Sequence, residues 1–289
     1  MIQIKYYPKT KNYGQSFHEI ISFLNRKNDE HHFIFFHWSR FEWMFARDNI
    51  KEEELPRITL FYEKEQIVGA LIYEDEPNPY FVIYDDSLEL KKTIVSYLKT
   101  NEIKDELIIP QDEEMANLLK SEGYVQTDWI DPVTRFTLED ILIPETLGYE
   151  IKSLEEDYRL DQIHYALYRG FDHGDDVIYS DQNLEDRRHM TSSPHFKKRY
   201  TFIAVKDNQY VAYAGIWYME NTKTALIEPV ATVPEHRGKG LARSCIYHAI
   251  KAVRSDGAQD IFVGSNRSVY LNMGFEPFDY AIRFKKMDV

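Results

Sequence analysis

The sequence predicts an α/β protein built from two tandem copies of one unit of about 145 residues. Three observations point to it. The chain, at 289 residues, is long for one small domain. Short β-branched or aromatic runs alternate with segments of helical period along its whole length. The element order also repeats. The hairpin text Thr59-Leu-Phe-Tyr-Glu-Lys-Glu-Gln-Ile-Val-Gly-Ala70 returns as Thr201-Phe-Ile-Ala-Val-Lys-Asp-Asn-Gln-Tyr-Val-Ala-Tyr-Ala-Gly215, and Gly123-Tyr124 returns as Gly274-Phe275. The copies are expected over residues 1–140 and 149–289, with 139–148 reading as a linker.

In the first copy, residues 2–7 read as a strand and 16–26 as a helix with Phe17, Ile20, Ile21 and Leu24 on one face. The aromatic stretch 32–47 reads as a second helix. Residues 57–62 and 67–73 form a hairpin, and 80–84 a further strand. A helix over 88–98, a strand over 107–109, a helix over 113–121 and strands over 124–130 and 134–138 complete the copy. The second copy runs strand 149–153, helices 160–171 and 182–190, and the hairpin 201–205 and 210–219. Strand 225–233 and its following helix, strand 260–264, a short helix ending at Met273 and strand 280–286 then close the chain.

Composition excludes several classes. The net charge of −13 opposes binding to nucleic acid, which requires basic surface, and leaves a cationic amine as a possible ligand. No apolar run approaches the roughly 20 residues that span a bilayer, and the N-terminus carries no signal-peptide core. The single cysteine excludes a disulfide framework and a cysteine-rich zinc site. A cytoplasmic protein without metal, nucleic-acid or membrane partners is expected, with its oligomeric state open.

The chemistry concentrates in one stretch. An apolar run from Ala225 to Val233, interrupted by Glu228 and Pro229, ends at Pro234, which donates no ladder hydrogen bond. Gly238 and Gly240 follow, flanked by Arg237, Lys239 and Arg243; Leu241, Cys245, Ile246, Ala249, Ile250 and Val253 then return at helical spacing. Strand, basic glycine loop and helix together present unpaired N–H groups to an anion, usually phosphate. The spacing does not fit a P-loop, and Arg243 stands where a dinucleotide fingerprint needs its third glycine. After strand 80–84 the first copy has Asp85-Asp86-Ser87, which would repel a pyrophosphate, so only the second copy should bind one.

Arg237-Gly-Lys-Gly-Leu-Ala242 satisfies Arg/Gln-x-x-Gly-x-Gly/Ala and resembles the acetyl-CoA pyrophosphate loop of the GNAT superfamily of N-acetyltransferases. The preceding Glu228-Pro-Val-Ala-Thr-Val-Pro-Glu-His236 and the later Tyr270-Leu-Asn-Met-Gly-Phe275 are similar to that family's fourth-strand and C-terminal motifs. The resemblance is specific over residues 200–289, looser over 149–199 and architectural over 1–140. It implies two tandem GNAT-like domains, each a mixed, mostly antiparallel sheet flanked by helices, the first without a cofactor loop. It further implies direct acetyl transfer from acetyl-CoA to a primary amine. Gly238, Lys239, Gly240, Leu241 and Ala242 would bind the diphosphate with Arg237 and Arg243 adding charge, and the backbone of Ala231, Thr232 and Val233 would bind the pantetheine arm. Glu228 would take the amine proton and Tyr270 would protonate the departing thiolate.

Each role has a plainer counterpart. Glu228 could be a solvent-facing or ion-paired carboxylate, and Tyr270 a packing aromatic. Asn266 lies four residues before Tyr270, where the family's asparagine sits several residues earlier. The helix is therefore read as shortened and the cofactor contact of Asn266 left open. Cys245 reads as core and His236 as solvated. Asp172, Asp175 and Asp176, between the second copy's first two helices, could meet a cationic acceptor. Two other functions remain: a non-catalytic acyl-CoA-binding sensor or partner module, and a nucleotide enzyme, which would need a ribose-binding acid or magnesium ligands.

Overall fold

The computed structural model describes residues 1–46, 50–74 and 78–287. In it the chain divides into one unit of residues 1–133 with 278–289 and another of residues 134–277.

The first unit runs β1 (Gln3–Tyr6), α1 (Gln15–Asp29), α2 (Trp38–Phe45), β2 (Thr59–Glu63), β3 (Gln66–Ile72), β4 (Tyr80–Tyr84), α3 (Leu88–Thr100), β5 (Leu107–Ile109), α4 (Glu113–Ser121) and β6 (Tyr124–Phe136). The second runs β7 (Glu150–Ser153), α5 (Leu160–Gly170), α6 (Asp181–Thr191), β8 (Thr201–Lys206), β9 (Gln209–Tyr218), β10 (Thr224–Thr232), α7 (Leu241–Ser255), β11 (Asp260–Val263), α8 (Ser268–Leu271) and β12 (Phe275–Lys286). Strand order in the first unit is β1-β2-β3-β4-β5-β12-β6. In the second it is β11-β10-β9-β8-β7, with Thr134 and Arg135 of β6 paired on the far side of β11. Each unit has one parallel pair joined by a helix, β4–β5 through α3 and β10–β11 through α7, among antiparallel neighbours.

The repeated text folds as a repeated hairpin. Lys64 and Glu65 turn the first at φ 48° and 67°, and Asp207 and Asn208 the second at φ 49° and 65°. Two consecutive left-handed residues are the type I′ geometry that matches strand twist. The core of the second unit forms between the sheet and α7, where Cys245, Ile246, Ala249, Ile250 and Val253 are buried against Ala212, Ala214, Ile216 and Ile227. Removing each such side chain from water contributes roughly 1.5–3 kcal/mol for the larger ones. No helix among the described residues is long and apolar enough to cross a membrane.

Four features differ from expectation. The aromatic stretch 32–47 is helical only over Trp38–Phe45: His31 and Phe33 take φ 56° and 59°, which no α-helix admits, and His37 caps the helix by accepting from Ser39 N. Position 47 lies outside the described residues. The two strands expected over 124–138 are one, because β6 runs on from its place beside β12 to pair with β11 at Thr134 and Arg135. The stretch 139–148 packs into the second unit. Leu138 and Glu139 accept from Arg254, and Ile141 and Ile143 lie against its core. Finally β12 belongs to the first unit from Phe278 onward, where Ile282–Phe284 pair with β5.

Candidate active site

The site begins where two strands part. β10 and β11 pair only over Thr224–Leu226, so from Ile227 onward that edge of β10 has no partner strand among the described residues. On the other edge, Ile227 pairs with Ile216 and Val230 with Ala214, so Glu228 and Pro229 together oppose Gly215. This β-bulge carries a cis Glu228–Pro229 bond. A Cβ on Gly215 would lie 3.0 Å from the Glu228 carbonyl oxygen, and close backbone approach is why glycine stands there.

The ladder also says which backbone groups are available. Val233 N donates to Val211 O at 2.9 Å, and alternation therefore turns Ala231 and Val233 toward β9. Of the three residues expected to hold a pantetheine arm, only Thr232 faces the open edge. Val230 faces it too, and the sequence reading missed it.

Past Val233 the chain makes a single 3₁₀ turn, Pro234–His236, and enters the glycine loop. Gly238 and Gly240 both take φ 76°, and a Cβ on either would meet nothing within 4 Å. Backbone conformation alone demands glycine here, and the loop surface is open. Gly240 is the N-cap of α7 without any side-chain cap, and the amides of residues 238–243 meet no acceptor among the described residues. Unpaired N–H groups at the positive end of a helix dipole fit a diphosphate.

The loop cations are occupied differently from expectation. Arg237 donates to Thr232 O, Gly170 O and Asp172, so its guanidinium knits the loop to the end of α5. Lys239 donates to Glu235 O, and Arg243 reaches Asn272 O at 3.4 Å. His236 is half-buried instead of solvated, with its Nδ1 3.0 Å from the Tyr149 hydroxyl. Burial and the neighbouring Lys239 hold its pKa below the ordinary histidine value.

Tyr270 stands on α8, a single turn as the spacing predicts, and packs edge-on to Phe275. The turn is fixed from α7, since Tyr247 donates to Met273 O at 3.0 Å. Burial raises the Tyr270 pKa, Arg267 opposes that, and the negative charge of Glu228 adds to it. The structure thus brings Glu228 and Tyr270 within electrostatic reach of each other. Asn266 is exposed in the preceding loop. Cys245 is buried in the core, and burial pushes its thiol far up.

Two further residues escaped sequence reading. A Cβ on Gly170 would lie 2.6 Å from Ala231 Cβ and 3.0 Å from Thr232 N, so α5 ends directly against β10. In sequence Gly170 falls inside the helix read over 160–171 and carries no sign of this contact. Arg169, with its side chain 7% exposed, pairs with Asp175 and Glu235 and donates to Gly174 O. Asp172 and Asp175, expected to meet a cationic acceptor, are thus each paired with an arginine.

Residues 159–275 match the Acetyltransferase (GNAT) family. No curated protein sequence matches the chain. Among solved structures it is similar to a tandem GNAT protein from the clavulanic acid biosynthesis pathway, at 13% identity, TM-score 0.58 and 98% of both chains covered. It is also similar to a GCN5-related N-acetyltransferase from Sphaerobacter thermophilus, at 11% identity, TM-score 0.55, covering 100% of this chain and 98% of that one. A third, from Kribbella flavida, has 16% identity and TM-score 0.51 over 77% of this chain and 88% of that one. These likenesses show the fold, including its two-unit arrangement.

Proposed function

We propose, from the premise that residues 159–275 are a GNAT-family acetyltransferase region, that the protein moves an acetyl group from acetyl-CoA to the primary amine of a small molecule by direct attack. The observation that carries this reading is a conjunction. Glu228 lies in the bulge where β10 and β11 part, its negative charge adds to the raised pKa of Tyr270, and the chain then enters a helix start whose amides are unpaired.

The amides of residues 238–243 hold the diphosphate, with Lys239 and Arg243 contributing positive field. Arg237 braces the loop through Nε and Nη2, which bond Thr232, Gly170 and Asp172, and its Nη1 donors add to the positive field. The open edge of β10 at Val230 offers backbone groups to the pantetheine arm, which aligns the thioester with the slot, while Thr232 O on the same edge already accepts from Arg237. Glu228, in the bulge, accepts the ammonium proton and leaves a nucleophilic amine. Tyr270, its pKa raised, keeps its proton at neutral pH and donates a hydrogen bond to the sulfur as negative charge develops there. The raised value favours hydrogen-bond donation over complete proton loss, since a thiolate is the weaker base of the two. A cytoplasmic location and a first unit without cofactor chemistry belong to the same proposal.

The first experiment is a thermal-shift series with acetyl-CoA, CoA, NAD and ATP, since a ligand that binds only the folded state stabilises it. Stabilisation by the CoA species alone supports the reading, and a response to NAD or ATP instead overturns it. Thiol release with an amine panel then tests the chemistry. Glu228→Gln should lower kcat about 10²–10⁴-fold, the range of a general base, with acetyl-CoA affinity intact. An unchanged kcat would remove Glu228 from its role. Acetyl-CoA binding without transfer to any amine would favour a non-catalytic acyl-CoA sensor.

A further inference from the structure

The segment between α5 and α6 carries an arrangement that the transfer chemistry leaves unused. Its polar groups are pinned from several sides. Arg237 holds Asp172, and Arg169 holds Asp175 and the carbonyl of Gly174. Asn183 Nδ2 donates to Ile178 O at 2.9 Å, and His164 Nε2 lies 3.0 Å from the same carbonyl. That carbonyl can only accept, so His164 Nε2 carries the proton. Burial holds the His164 pKa low, which keeps the ring neutral and this tautomer in place.

The apolar side chains of the same segment remain in water. Phe171 is 48% exposed, Ile178 62% and Tyr179 50%. A loop fixed by its polar groups cannot bury these side chains by collapsing, so their exposure persists until something covers them. Apolar side chains on a segment fixed in this way can cover a ligand at low ordering cost, because that cost is met before the ligand arrives. It is continuous with the proposed active site, since Gly170 abuts Ala231 and Thr232 and Arg237 bonds both Thr232 O and Asp172.

Resting on the acetyltransferase reading, we infer that the amine acceptor carries an aromatic or comparably apolar body, which seats on Phe171, Ile178 and Tyr179. Charge argues the same way. Of the three aspartates read from the sequence, Asp172 and Asp175 are paired with Arg237 and Arg169, and Asp176 stays exposed. An arylalkylamine needs only one carboxylate for its ammonium, and its ring gains dispersion and cation–π contacts with the wall.

The test compares 2-phenylethylamine, spermidine and kanamycin as acceptors by thiol release, and measures binding of 2-phenylethylamine directly by calorimetry with and without CoA. The expected kcat/KM for 2-phenylethylamine exceeds that for spermidine at least tenfold. Phe171→Ser with Ile178→Ser should raise the 2-phenylethylamine KM about tenfold and leave kcat, acetyl-CoA affinity and thermal unfolding unchanged. Both side chains are exposed, and the pins use backbone atoms of Ile178. Preference for spermidine or kanamycin, or an unchanged KM in the double variant, overturns the inference with the acetyltransferase reading intact. Calorimetric binding of 2-phenylethylamine that the double variant loses, in a protein that ignores acetyl-CoA, upholds the wall and overturns the transfer chemistry alone.

Discussion

The junction of β4 with α3 and that of β10 with α7 occupy the same place in the two units, and they end in opposite ways. In the first unit Ser87 caps α3 by accepting from Leu90 N, and the preceding aspartates are satisfied by the chain itself. Asp85 pairs with Arg26 at 2.8 Å and with the buried Lys27 at 2.9 Å, and Asp86 pairs with the buried Lys91 at 2.7 Å. Burial pushes the Asp85 carboxyl up, but hydrogen bonds from Arg26 and Lys27 overcome it and hold the pKa below its ordinary value. In the second unit the N-cap is Gly240, no side chain caps α7, and the amides of residues 238–243 stay unpaired. One helix start is closed by internal anions and cap. The other leaves the same electrostatic demand to a ligand. The difference teaches that one fold can leave a helix N-terminus unmet in one copy and close it in the other, and in the proposed function the unmet one is where the cofactor binds.

Breaking the closed junction should have the largest effect. Asp85→Ala leaves Lys27 buried with only Glu30 in reach, and loss of one partner from a buried pair predicts destabilisation of roughly 3 kcal/mol. Denaturant unfolding would measure it, and acetyl-CoA affinity should not move. A variant that lost acetyl-CoA affinity instead would break the comparison. Next, Gly240→Asp puts a carboxylate into the open junction at φ 76°, a conformation that costs a side-chain-bearing residue about 1–2 kcal/mol. Repulsion of the diphosphate adds to this, and acetyl-CoA Kd should weaken about a hundredfold by calorimetry.

Gly170→Val should cost about 1–3 kcal/mol through overpacking, since its Cβ would press on Ala231 and Thr232. Because α5 is thereby levered from the open edge of β10, acetyl-CoA affinity should fall as well. Unchanged binding would show that this contact does not shape the slot. The smallest effect is in pH. Burial lowers the pKa of His32, His164 and His248, and of His236 together with Lys239. Groups with depressed folded-state values contribute stability that is present above the ordinary value of 6.5 and lost as pH falls through the lowered ones. The melting temperature should therefore drop between pH 7.5 and 5.5, before the carboxylates titrate. A flat profile would mean that these rings bind protons equally in both states.

Patterns read over a few consecutive residues were legible in advance. The duplicated hairpin, the face of α1 with Phe17, Ile20, Ile21 and Leu24, and the shortened helix at Tyr270 all stand as the spacing predicts. So does the glycine loop, because a left-handed turn between strand and helix is written in Gly238 and Gly240 themselves. Local text misled where a distant partner decided the outcome. The stretch 32–47 has helical composition, but Asn28 bonds Phe36 O and Trp38 N and fixes a non-helical turn before α2.

By itself, then, the sequence determined the two-unit plan and the left-handed glycine turn, and it named the residues proposed to bind the anion and to move protons. Each depends on hydrophobic period, turn chemistry or glycine, which act within one or two turns of chain. Only the tertiary structure decided that Arg237 braces the loop against Thr232 and Gly170, that Thr232 and Val230 face the open edge, and that Asp172 and Asp175 are already paired. It alone assigned β12 beyond Phe278 to the first unit. The physical reason is common to all of these. A guanidinium, a carboxylate or a strand edge takes whichever partner the fold brings within reach, and no short stretch of sequence names that partner.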